Sequence, residues 1–445
     1  LLFQYNRSAA KNQEERLRAA RNILEKDLYF EIKESATMAN GTLLVQTAAA
    51  RQSSPIAGVS VIVTGDGFTK TLLSDSEGNT AEFSVPTPAC RYSLEESNST
   101  VLPYATVTVV ASLEGYRTVT IEGVQVFPDQ LTVVNAELVT SAGEAEPIPD
   151  PAVLIPVHAL YAGTGGSGPA PIDDCSDSSE GGVEVLDKVI IPTKITVHLG
   201  KPAASASNVT VGFQDYIANV ASSEVYPTWP EQALRANIHA QISLAVNRIW
   251  TEWYPSKGYS YNITSTPSSD QYFVYGRTIF DVMKKLTADI FNTYVRKTGT
   301  VNPYYTEYCD GKTVTCPGMK QWGTVTQANN GKNALQILKY YYGNDIEIVR
   351  TSNIQSIPQS YPGTPLQAGS TGTNVFILQR QLNRITKDYP SFGTLTVDGV
   401  FGAAMTATVK KFQKQFGLTA DGIVGRATWY KISYIYCNNY KKHRP

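Results

Sequence analysis

The chain has 445 residues, enough for two to four domains of ordinary size. Its 38 basic and 39 acidic residues nearly cancel, leaving a formal charge of −1, which argues against a nucleic-acid footprint or an electrostatic membrane anchor. No apolar run is long enough to span a bilayer, and the start lacks the pattern of a secretory signal, although a first residue other than Met leaves a processed N-terminus open.

The predicted elements begin with an amphipathic helix inside residues 1–40. Leu17, Ala20, Leu24 and Leu28 recur at three- and four-residue spacing among charges. Such a helix has no domain of its own to cover, so it is expected to pack on a neighbour, to bind a partner or to act as a propeptide. From 41 to 139 the character changes to strands of alternating polarity broken by Gly, Asp and Asn, which predicts a small antiparallel β-sandwich. Residues Ile56 to Val59, the Ser74 to Gly78 turn and the "FSVP" that follows resemble the transthyretin-like family of carboxypeptidase regulatory domains. That resemblance implies a structural or inhibitory role. Residues 140–190 are rich in Pro, Gly, Ser and Asp and read as a linker interrupted by a short apolar piece. An exposed linker there would offer an activating protease its cleavage site.

Between 191 and 351 the segment "VASSEVYPTWPEQALRAN" poses a specific question, because Glu224 stands alone just before a strongly signalled helix. Thr228 and Glu231 have the spacing of a capping box, with Pro230 in the first turn. Glu224 is then expected in the short loop approaching the positive end of that helix, which would favour the carboxylate, whereas enclosure by Val220, Val225 and Tyr226 would favour the acid. Leu234, Ile238, Ile242, Ala245, Ile249 and Trp253 line one face of the helix, predicting burial on one side. Asp270, Gln271, Tyr275 and Gly276 are placed at the start of a second amphipathic helix. Asp270 and Asp310 are candidates for a second acid, with solvated loop positions as the alternative.

Cys309 and Cys316 are the only closely spaced pair among five cysteines. They could form a disulfide in an oxidising compartment, remain buried thiols or belong to a metal site. Zinc would want four ligands, and His158, His198, His239 and His443 all lie far from the pair in sequence. No metal and no cofactor is therefore expected.

Together, "VASSE", "EQALRANIHAQISLAVNRI", "SSDQYFVYGRTIFDVM" and "YCDGKTVTCPGMKQWG" resemble the stage II sporulation protein D (SpoIID) family, and more closely the form found in spore cortex-lytic enzymes. The resemblance covers about 191 to 350. It implies an α+β lytic transglycosylase that cuts the β-1,4 bond between N-acetylmuramic acid and N-acetylglucosamine. The family's catalytic glutamate falls on Glu224, and Arg248, Gln271, Tyr275, Gln321 and Trp322 fall on or beside positions that line its cleft. Asn247-Arg248-Ile249 departs from the family's usual triplet but keeps the guanidinium. No histidine accompanies the cysteines that hold zinc in some relatives.

A second linker spans 352–366. In 367–437, Val375, Leu378, Leu382 and Ile385 form one stripe, and Val409, Phe412 and Phe416 another. Two Asp-Gly-x-x-Gly loops, at Asp398-Gly399 and Asp421-Gly422, look like an internal duplication. With "LQRQLN" and "VKKFQKQFGL" this region resembles the type 1 peptidoglycan-binding domain, a three-helix module whose loops would face the polymer. Residues 438–445 read as a basic tail. The fold class expected is therefore multidomain α+β: helix and sandwich, SpoIID-like catalytic domain, three-helix module. The function expected is a wall-bound lytic transglycosylase outside the cytoplasm, in the wall or the spore cortex. An N-acetylmuramidase, or a non-catalytic wall-binding protein, is the alternative.

Overall fold

The computed structural model describes residues 38–49, 54–141, 152–163, 189–357 and 360–441. Residues 1–37 of the predicted N-terminal helical segment, most of the 140–190 linker and residues 442–445 of the basic tail lie outside them, as does Cys175, whereas 38–40 begin a strand and 438–441 end a helix. The chain is a multidomain α+β protein that divides into two compact units, 1–156 and 157–445.

The first unit holds two β-sheets. In one, Met38–Ala49 pairs antiparallel with Phe83–Pro88 and parallel with Leu131–Glu137. In the other, Ser60–Gly65 lies between Phe68–Leu73 and Ala105–Ser112, followed by Val119–Val126 and Ala152–Leu154. Strict alternation along Met38–Ala49 sends Leu43 and Val45 into a valine-rich core shared with Val61, Val63, Val107 and Val109. The expectation of an antiparallel sandwich needs correcting. Met38–Ala49 and Leu131–Glu137 run parallel because the chain crosses the whole unit before returning beside its first strand. Ala152–Leu154 also pairs parallel, with Val119–Val126, so the apolar interruption of the first linker belongs to the sheet.

The Asp75 turn seats the second sheet strand. Asp75 Oδ1 accepts from the backbone N–H of Glu77 and of Asn79, both at 2.9 Å, and Gly78 follows with φ of 79°. A Cβ at Gly78 would stand 2.4 Å from the Thr47 carbonyl oxygen. Gly78→Ala should therefore destabilise the first unit by about 2 kcal/mol or more, read as a fall in the midpoint of its urea transition.

The second unit is organised around the helix Glu231–Trp250. The expectation of one buried face is too weak, since this helix is buried nearly all round, polar residues included. Helices Phe213–Glu224, Asp281–Ile290, Gln321–Asn329 and Ala334–Tyr342 and the strand Thr293–Lys297 all pack against it. Its buried polar side chains are tied to this shell. Asn237 Nδ2 donates to Thr324 Oγ1 at 2.9 Å, Ser243 Oγ to the Tyr304 carbonyl at 2.9 Å, and Asn247 Nδ2 to the Pro303 carbonyl at 2.8 Å.

The predicted capping box is absent. Pro230 is the N-cap, in extended conformation, and Glu231 pairs with Arg235 at 2.7 Å instead. With prolines at 227 and 230 the chain makes a turn around buried Trp229 before the helix can start. The 270–276 stretch does not begin a helix, since the next one starts at Asp281.

Three helices, Thr373–Ile385, Ala403–Gln415 and Arg426–Lys441, enclose the C-terminal core of Val375, Leu378, Leu382, Val409 and Phe412. The segment before them is more than a linker. Ile354–Gln355 pairs parallel with Ile191–Pro192, and Leu366 exchanges backbone hydrogen bonds with Val424. Ser360 is held by Glu252, whose carboxylate accepts from the Ser360 N–H at 2.9 Å, from its hydroxyl, and from Tyr430 OH at 3.2 Å. Trp429 Nε1 adds a bond to Ser360 Oγ at 3.1 Å.

Candidate active site

Glu224 is the last residue of the helix Phe213–Glu224, not a loop residue as the sequence suggested. The small side chains at Ala218, Ala221, Ser222 and Ser223 let this helix approach its neighbours closely, and it stops just before Tyr226-Pro227. The consequence is electrostatic: the acid stands at a helix C-terminus, where a negative charge is disfavoured.

The Glu224 side chain is fully buried. Oε1 accepts from the Tyr272 N–H at 2.8 Å, and Oε2 accepts from Gln241 Nε2 at 2.9 Å and Tyr308 OH at 2.7 Å. Burial pushes its pKa up to about 8, and the three donors only partly offset this. A carboxyl group in that range is an acid at neutral pH that can return as a base.

The loop beneath it is fixed by two amides. Asn219 grips Val274, donating to its carbonyl at 2.8 Å and accepting from its N–H at 3.0 Å. Gln271, also fully buried, donates to Tyr308 OH at 3.0 Å and to the Gln241 carbonyl at 3.1 Å, while its oxygen accepts from Tyr216 OH at 3.0 Å. Gln271 is thus a positioning residue for Tyr308 and the 272 amide. Tyr308 is anchored by its neighbour Cys309, which is disulfide-bonded to Cys316, and by parallel pairing of Tyr308–Cys309 with Met319–Lys320.

Several expected site residues lie elsewhere or have other work. Tyr275 is 59 % exposed and makes no hydrogen bond to the acid; the Asn219 clamp one residue earlier turns the chain outward. Arg248 is buried in an ion pair with Asp270, Nε to Oδ1 2.6 Å. Asp270 Oδ2 also accepts from the Thr264 N–H at 2.9 Å and from the hydroxyls of Tyr254 and Thr264, both at 2.5 Å. Asp310 caps its own turn, accepting from the N–H groups of Lys312, Thr313 and Val314. Neither aspartate hydrogen-bonds Glu224 or its donors. Trp322 is buried in a cluster with Tyr226 and Trp229, at centroid distances of 5.9 and 4.9 Å, rather than offering an open stacking face.

Gln321 differs from these. It is fully buried at the start of the helix Gln321–Asn329, and neither its Oε1 nor its Nε2 has a hydrogen-bond partner among the described residues. Gln241 Oε1 and Asn237 Oδ1, one turn apart on the central helix, are likewise without one. Unpaired buried amides cost about 1–3 kcal/mol each and point to a ligand. Tyr308, Gln241, Asn219 and Tyr216 were not found from sequence, and no local pattern sets them apart.

The Ala159–Ala162 turn also reaches this region. The His158 ring lies 4.6 Å from that of Tyr226, and the Gly163 carbonyl accepts from Thr313 Oγ1 at 3.1 Å. Burial holds the His158 imidazole well below its ordinary pKa, so it packs as a neutral ring. Among the described residues there is no group of three or more His, Cys, Asp or Glu placed to hold a metal ion.

In the C-terminal module the two Asp-Gly loops repeat one device. Gln379 donates to Asp398 Oδ1 at 2.8 Å and accepts from the Gly399 N–H at 2.8 Å; Gln413 does the same for Asp421 and Gly422, at 2.8 and 2.9 Å. Hydrogen bonding holds both aspartates below the usual carboxylate range, through Gln379 for Asp398 and the Ile423 N–H for Asp421. Their carboxylates brace the turns, and φ near 73° and 81° explains the glycines.

Residues 371–432 match the family model of the peptidoglycan binding domain. The C-terminal module is a peptidoglycan-binding domain. Among curated proteins, a zinc D-Ala-D-Ala carboxypeptidase of Streptomyces albus G is 46 % identical over 74 residues, 16 % of this chain and 27 % of that protein. A spore cortex-lytic enzyme of Bacillus cereus is 36 % identical over 70 residues, 16 % of this chain and 25 % of its own length. The chain thus spans about a quarter of the length of these relatives. Among solved structures, the SleB N-terminal domain is 33 % identical, covering 17 % of this chain and 97 % of that one, with a TM-score of 0.15.

Proposed function

We propose that this protein is a lytic transglycosylase of peptidoglycan, acting through Glu224 and held on its polymer by the C-terminal domain. The observation that carries the reading is a solitary buried carboxyl group, pushed up to about pKa 8, with both neighbouring aspartates engaged elsewhere. A hydrolase of the usual kind needs a second carboxyl group about 5–9.5 Å away, whereas a transglycosylase needs one. Protonated Glu224 donates to the glycosidic oxygen as the bond to the muramic acid anomeric carbon breaks. The resulting carboxylate then takes the proton of the sugar's own 6-hydroxyl, which attacks that carbon and closes a 1,6-anhydro ring. Tyr308 and Gln241 stabilise the carboxylate stage, and the unpaired Gln321 amide is available to the sugar's polar groups.

A fully buried Glu224 requires that something yield before a glycan reaches it. We assign this to the segment around 157–163, so that cutting the linker within 140–190 raises activity. The peptidoglycan-binding domain, the cortex-lytic relative and the disulfide together support work outside the cytoplasm, in a wall or spore cortex. Among the described residues no helix is long and apolar enough to cross a membrane.

Mass spectrometry of fragments released from purified peptidoglycan tests the reaction. Anhydromuramic ends are expected; reducing muramic ends would identify a muramidase, and no fragments at all a binding protein. The pH profile follows from the same acid. kcat/KM should fall as pH rises through about 8, where Glu224 loses the proton it must donate, and Gln241→Leu, which removes a donor to the carboxylate, should move that limb upward.

A further inference from the structure

We propose that a second polymer-binding site lies where the peptidoglycan-binding domain meets the catalytic half, and that it takes the carboxylate-bearing peptide stem of a wall glycan. The inference rests on the reading above only for the identity of the polymer. Its basis is a cleft of about 340 Å³, at the small end of the range for ligand pockets, with walls from both parts of the second unit.

One wall is aromatic and rigid. Tyr261 is buried, stacked on His198 at 4.7 Å and tilted against Tyr259 at 5.1 Å, which leaves the half-buried Tyr259 ring to cover the apolar side of a ligand. The charges around the cleft do not cancel. Arg248 is balanced by Asp270, and the Arg426 guanidinium acts on Glu252, whose carboxylate is already held by Ser360 and Tyr430. Lys194 is left over: exposed at the rim, its ammonium has no carboxylate partner among the described residues. Asn262 adds an amide whose oxygen is fixed by the Thr196 N–H at 3.0 Å. One excess cation beside amide and hydroxyl groups and an aromatic face suits a single carboxylate on a peptide or glycan.

The joint that builds the cleft is strained. Glu252 has a φ of 44°, a left-handed conformation that costs a non-glycine residue about 1–3 kcal/mol, and it lines the cleft while binding Ser360 and Tyr430. The Arg426 side chain crosses the same joint to the Pro255 carbonyl at 3.4 Å. Arg426 is the C-terminal domain's part of the wall, so the cleft is complete only with that domain docked.

The test is titration calorimetry on the full chain carrying Glu224→Gln, so that no cleavage intrudes, with N-acetylmuramyl dipeptide, neutral chitobiose and acetate as separate probes. The dipeptide is expected to bind, and Lys194→Ala to weaken it at least about tenfold, Lys194→Glu more, with chitobiose affinity unchanged. Unchanged dipeptide affinity in both Lys194 variants, or acetate binding as tightly as the dipeptide, would overturn the proposal. Both variants alter an exposed side chain, and an unchanged melting temperature verifies the fold. Lys194-dependent dipeptide binding together with a parent chain, Glu224 intact, that releases no anhydromuramic ends overturns the Glu224 mechanism alone. Release of those ends with Lys194-independent binding overturns the cleft alone.

Discussion

Glu224→Gln is expected to lower glycan cleavage by about a thousandfold or more while leaving the chain on insoluble peptidoglycan. Removing a general acid that also serves as the base typically forfeits 10²–10⁴ in rate, and Asp270 and Asp310 are both engaged in other interactions. Sedimentation with wall material checks retention, and released muropeptides check activity. The same variant should be at least as stable as the parent at neutral pH. In the folded protein the carboxyl titrates near 8 and in the unfolded chain near 4.5, so between those values the unfolded state binds fewer protons and stability falls as pH rises. The parent thus loses on the order of a few kcal/mol across that window, and the amide variant should not. A glutamine that kept activity, or that removed none of the pH dependence of unfolding, would refute the account of this acid.

The largest structural loss is expected from Asp270→Ala. The Arg248–Asp270 pair is almost wholly excluded from solvent, with side-chain exposures of 1 % and 0 %. Removing the carboxylate would leave a buried guanidinium uncompensated and would strand the Tyr254 and Thr264 hydroxyls, a penalty of about 3–5 kcal/mol. Thermal unfolding of the second unit should report it. The double replacement Arg248→Met with Asp270→Leu should cost less than the single one, because no charge is left behind.

Periodicity made two of the C-terminal helices and the sandwich strands legible, since each is an amphipathic element whose apolar positions repeat at 3.6 or 2 residues, whereas the third helix, Arg426–Lys441, was expected only from the resemblance. The central helix was legible as a helix but not in its burial, because Asn237, Gln241 and Asn247 read as solvent-facing until tertiary partners supply their hydrogen bonds. Glu224 was singled out through a resemblance, and its place at a helix end was hidden: the "VASSE" run carries small residues that favour packing without a clear period. Tyr308 could not be found at all, for nothing local marks a tyrosine beside a cysteine as the partner of a carboxyl group 84 residues earlier. Tyr275, which the resemblance would place in a cleft, is exposed.

The Glu252, Ser360 and Tyr430 junction changes how the two working ends of the second unit would cooperate. A domain on a loose tether samples a cloud of positions and merely enriches its catalyst near the polymer. Here the binding domain and the Glu224 region share one frame, so under the proposed cleavage each cut would fall at a set spacing from the point held, and fragment lengths should cluster instead of spreading.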